Sequence, residues 1–121
     1  MMFSAAAAVS VAISASTIGP YLYVDLQDGF EGFRTYVYLE DSLVYRGAPE
    51  TDPLTGLASG LELMGRSSVV EIRVRVPEIR VDSTFSVDIQ AGEFLGIGIT
   101  GDRELVRRLS LVHSGVPFGY D

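Results

Sequence analysis

Three carboxylates fall close together in the stretch VDLQDGFEGF: Asp25, Asp28 and Glu31. Hard oxygen ligands crowded on one loop suit calcium, which takes six to eight of them. Their spacing is not that of an EF-hand, whose ligands alternate ahead of a glycine. Asp28-Gly29 is also an ordinary turn pair, glycine supplying the positive φ, and the turn is the preferred reading. A weak calcium site at Asp25, Asp28 and Glu31 is the alternative. Asp41, Glu50 and Asp52 join it only if their loops meet at the same end.

The single histidine, His113, precedes Ser114. A serine nucleophile needs a base near it in space and an acid that orients the base. Adjacent residues in a terminal segment seldom meet that demand, and no G-x-S-x-G elbow occurs. The glycines of Gly92 to Gly98 do not form a G-x-G-x-x-G ahead of a helix, so no phosphate cradle is expected. Gly96 and Gly98 instead alternate, which gives one strand face without side chains. Packing beneath a large aromatic is the preferred reading there, and a groove for a ligand the other.

Tyr21, Tyr23, Tyr36 and Tyr38 are harder to dismiss. Each alternates with an apolar residue, so all four point away from the core. Outward aromatics suit sugar stacking or a protein contact. The competing reading covers them with the chain's own N-terminal segment or its apolar tail, Pro117-Phe118-Gly119-Tyr120, which is expected to dock rather than fray. Arg73, Arg75 and Arg80, with Glu71 and Glu78, read as a solvated, mixed-charge face that discourages edge pairing.

Composition removes most other chemistry. Cysteine is absent, which excludes disulfides, thiolate metal sites and cysteine nucleophiles. All nine bases are arginine, so Schiff-base chemistry and a lysine P-loop are excluded as well. Asparagine is absent too, and with it N-glycosylation. Sixteen acids against nine bases give a net charge of −7, opposite to what nucleic-acid binding by counterion release requires. A carboxylate pair of the glycosidase type is the one enzymatic option left. No cleft is evident for it, and the expectation is that the chain is not an enzyme.

The elements that must position these residues are strands. The 121 residues are enough for one domain with its own core. Short runs of alternating apolar and polar residues recur every 8–12 positions, separated by Gly, Pro, Asp and Ser, the pattern of a sandwich or barrel. They cover Tyr21–Gln27, Phe33–Glu40, Leu43–Arg46, Leu61–Leu63, Ser68–Val76, Thr84–Gln90, Glu93–Thr100 and Glu104–Val112. Asp41-Ser42 is the expected turn between the second and third. Arg107 and Arg108 are neighbours in the last run, so one must face the apolar side or sit at an edge.

Residues 1–19 stand apart. No charge occurs before Asp25, and Val9, Val11, Ile13 and Ala15 alternate with Ser10, Ala12, Ser14 and Ser16. The stretch is too short and too rich in Ser and Ala to span a membrane. It lacks the basic n-region of a secretory signal, which favours a retained segment and a cytoplasmic protein over an exported one. Its period of two reads as a strand ended by Gly19-Pro20. In alternation alone it resembles the donor strands of bacterial pilin subunits. Such a strand folds back on its own sheet or completes a neighbour's.

The expectation is therefore an all-β, single-domain antiparallel sandwich of about eight to nine short strands. Its layout is Ig-like or transthyretin-like, with no major helix. Residues 1–19 form an extension and 20–121 the sandwich domain. The expected role is structural or protein-binding, without a cofactor, with self-association through Val9, Val11, Ile13 and Ala15. The alternative is a carbohydrate-type ligand on the tyrosine face, assisted by calcium. No nucleic acid and no membrane span are expected.

Overall fold

The computed structural model describes residues 21–65, 67–101 and 106–120. The strand expected at Val9–Thr17 and the boundary at residue 19 lie outside them. The described residues form eight strands: β1 Tyr21–Leu26, β2 Thr35–Leu39, β3 Ser42–Gly47, β4 Ser59–Met64, β5 Val69–Val76, β6 Val81–Asp88, β7 Phe94–Thr100 and β8 Arg108–Ser114. Two single 3-10 turns, Pro77–Ile79 and Ile89–Ala91, are the helical structure among the described residues. No helix there is long and apolar enough to cross a membrane.

The strands form two four-stranded sheets, ordered β4-β1-β7-β8 and β3-β2-β5-β6. Their inner faces share one core, the sandwich that alternation implies. Every pairing is antiparallel except β1 with β7, which is parallel. Alternation carries no strand direction, so an all-antiparallel expectation could not anticipate that pair. In the immunoglobulin order the first strand shares a sheet with the second, fifth and fourth. Here it lies between the fourth and the seventh, so the order is not the immunoglobulin one.

Proline and turn chemistry set the boundaries. Pro77 has no N–H to continue β5 and opens the first 3-10 turn, which Arg80 closes at φ 58°. That compact turn lets β6 begin at Val81, three residues before the run visible in the sequence, and pair along the whole of β5. The β2–β3 turn falls at Glu40-Asp41, one residue earlier than expected, with φ of 49° and 70°. Positive φ at both central residues is the type I′ geometry that matches strand twist. Glu40 offsets its strained backbone through its carboxylate, which accepts the Glu71 amide at 2.7 Å.

The core contains the expected Leu22, Val24, Leu26, Val37, Val70, Ile72, Val74, Val87, Ile89, Leu95, Ile97 and Ile99. Leu39 and Phe85 pack at its margin, half-buried. Val76 is buried as its alternation implies, and Phe30, Leu63 and Val81 join the core unannounced. Thr35 is the buried polar residue among those described, and its hydroxyl donates to the Phe33 carbonyl at 3.0 Å.

Candidate functional site

Strand order decides which outward side chains can act together. β1 and β2 belong to different sheets, and Leu22/Val24 and Val37 all point into the shared core. Tyr21 and Tyr23 therefore lie on one outer face of the sandwich, Tyr36 and Tyr38 on the opposite one. The single four-tyrosine face expected from alternation does not exist, because alternation reports a strand's faces and not its sheet.

The second sheet uses its tyrosines internally. Arg75 sits over the Tyr36 ring at 5.6 Å and Arg73 over the Tyr38 ring at 5.7 Å. Arg73 clasps Asp82 with two hydrogen bonds, 2.9 and 2.7 Å. That clasp holds the Asp82 carboxyl below its usual range. The mixed-charge face is thus a closed ladder of arginine, tyrosine and aspartate.

The first sheet leaves more available. Tyr23 stacks on Phe94 across the parallel pair, with ring centroids 5.2 Å apart and planes 16° from parallel. Tyr21 and Met64 stand exposed beside them at 41% and 51%. Register places Glu62 opposite Tyr23, and its negative charge raises the Tyr23 phenol pKa.

Further along the same face the tail docks. The Tyr120 hydroxyl donates to Asp25 Oδ2 at 2.7 Å and accepts from Gln27 Nε2 at 2.9 Å. Gln27 lies over Gly96, where a Cβ would strike its side-chain amide. Gly98 sits beneath Ser110 Oγ, 2.9 Å from the position of an added Cβ, and the backbone of Asp28. The side-chain-free row thus receives Gln27 directly, and the expected aromatic covers it only through that amide.

Burial and the neighbouring Asp25 push the Tyr120 pKa up to about 12. The fold therefore favours the neutral phenol. Below pH 10, the ordinary tyrosine value, docked and undocked tails are both protonated and the contact has its full strength. Between pH 10 and about 12 the undocked tail loses its proton first, so docking weakens as pH rises. A phenolate absorbance titration is expected to show, beside the raised Tyr23, a component near pH 12. Tyr120→Phe removes that component; its survival in the variant would assign it elsewhere.

The three loop carboxylates separate. Asp25 is engaged by Tyr120, and Asp28 Oδ1 faces Gly56. Glu31 bridges to the Glu50 backbone and lies 3.8 Å from Arg107. Among the described residues no group of three acidic or histidine side chains is placed to hold a metal ion. The Asp28-Gly29 turn is present, with Gly29 at φ 88°.

His113 and Ser114 point to opposite faces of β8, as neighbours on a strand must. His113 Nε2 donates to the Gly92 carbonyl at 2.5 Å. Ser114 Oγ donates to the Val116 carbonyl and accepts its amide, at 2.8 and 3.1 Å. Of the adjacent arginines, Arg107 is the one drawn inward: its side chain is 13% exposed and lies 5.1 Å from the Phe33 ring centre. The self-association residues Val9, Val11, Ile13 and Ala15 lie outside the described residues.

No protein-family model matches this chain, and no curated protein matches it. Any functional reading therefore rests on the molecule's own geometry.

Proposed function

We propose that this chain is a non-enzymatic β-sandwich interaction module that associates with copies of itself, Val9–Thr17 serving as the exchanged strand. One observation carries the reading: the described residues, which begin at Tyr21, build two four-stranded sheets on one shared core. Strand β1 opens at Tyr21, directly after the Gly19-Pro20 that ends the alternating run. An uncharged run of alternating apolar and small residues is suited to strand addition.

Light scattering behind a sizing column tests it, on the full chain and on one beginning at Gly19. The full chain is expected to be oligomeric and the shorter one monomeric, both with the same strand-rich circular dichroism. Two monomers, or two equal oligomers, would remove the exchanged strand from consideration.

A second reading keeps part of the tyrosine face. The Tyr23–Phe94 stack with exposed Tyr21 is a flat aromatic surface beside hydrogen-bonding Asp25 and Gln27. Such a surface suits a carbohydrate-type ligand. Thermal shifts against a glycan panel, with and without calcium, decide it; flat responses throughout reject it.

A further inference from the structure

Among the described residues the two sheets end in four edges, β3, β4, β6 and β8, and an exchanged strand must choose among them. Unpaired edges recruit strands unless charge, bulges or short length guard them. β6 carries Asp82 and Asp88 near its ends. β3 faces a register break at Val37/Tyr38, which twists an edge away. β4 has six residues with Glu62 among them.

β8 is different. Its seven residues, RLSLVHS, include no acid, and among the described residues it pairs with β7 alone. Leu111 is 45% exposed and Val112 51% exposed, on opposite faces. Leu111 pairs with Ile97, which is fully buried. The inner apolar layer thus ends at β8 with half of a leucine uncovered, where one more strand would complete it.

We propose that the β8 edge accepts Val9–Thr17 from a second copy of this chain, antiparallel. This rests on the self-association reading above and names its acceptor. Val9, Val11, Ile13 and Ala15 would extend the inner row beside Leu109 and Leu111. Ser10, Ala12, Ser14 and Ser16 would continue the small-residue outer row of Gly96, Gly98 and Ser110. The donor brings no charge against Arg108.

Reach argues for a second copy over the same chain. Thr17 to Tyr21 is four Cα steps, about 13–14 Å fully extended. The position beyond β8 lies three strand spacings from β1, about 14 Å. A chain feeding its own edge would have to be taut through Gly19-Pro20. It would also run parallel to β8, since β8 ends where β1 begins. A second copy has neither constraint and can adopt the antiparallel ladder, which is more stable per residue.

The test compares full-length wild type with Leu111→Lys, Val112→Lys and, on the β4 edge, Met64→Lys, by light scattering across a dilution series. Both β8 variants change exposed side chains. Each is expected to raise the dissociation constant at least about tenfold with the circular dichroism of wild type. Met64→Lys is expected to leave association unchanged. If a folded Leu111→Lys or Val112→Lys chain associates like wild type, self-association stands and β8 is the wrong edge. A full-length wild type that is monomeric overturns the self-association reading itself, and this assignment with it.

Discussion

Gly29→Ala is expected to lower the thermal midpoint by roughly 10–20 °C, the consequence of losing about 3 kcal/mol or more from a domain of this size. Two effects add. Gly29 sits at φ 88°, in the left-handed region where an L side chain is strained by about 1–2 kcal/mol. The new Cβ would also press on the Ile99 carbonyl oxygen and lie 2.8 Å from Ile99 Cβ. Neither obstacle can swing aside. Ile99 is a buried residue of β7, and its amide donates to the Asp28 carbonyl at 2.8 Å. Relief therefore requires parting the loop from the sheet. Gly115→Ala is the control: nothing lies within 4 Å of its added Cβ, so its midpoint is expected to stay within a degree or two. Equal melting of the two variants would show that the loop is not held against β7.

Phe30→Ala, one residue on, is expected to be destabilised by about 3–5 kcal/mol, the usual range for deleting a buried aromatic. Phe30 is 2% exposed and among the largest fully buried side chains. Its backbone is tied on both sides: its amide donates to Thr51 Oγ1 at 3.0 Å, and its carbonyl accepts the Thr51 amide at 2.8 Å. The surroundings are thus poorly able to collapse into the space left behind. Urea unfolding should show a lower midpoint with an unchanged slope. A loss under about 1 kcal/mol would mean that the ring is not part of the core.

Both positions fall in the segment whose carboxylates first suggested an ion site. Alternation made the strands legible because each buries one face, and the period of two is plain in β1, β2, β4, β5 and β6. Phe30 was not legible on that basis. It belongs to a loop without a period, and its burial follows from a turn that folds it under Thr51. The same limit applies to the tyrosines. Tyr21/Tyr23 and Tyr36/Tyr38 share a local pattern, but the pairing of β1 with β4 and β7 sends them to opposite sides of the molecule. The tail was legible as apolar, and its partners were not, since Asp25 and Gln27 lie more than ninety residues away in sequence. The choice between Arg107 and Arg108 was visible as a conflict, and the Phe33 ring resolves it.

The parallel pairing of β1 with β7 bears on how the chain can fold as it is made. Strands β2, β3, β5 and β6 form a sheet from one central stretch of sequence, and each pairs through a loop that is already synthesised. β1 pairs first with β4, yet its other edge must wait until five intervening strands have emerged and β7 follows. Non-local closure of this kind slows folding and prolongs exposure of apolar surface. During that interval the inward faces of Leu22, Val24 and Leu26 are only partly covered, and β8 pairs only after β7 is in place. A chain cut short before β7 would carry a finished second sheet and an open first one.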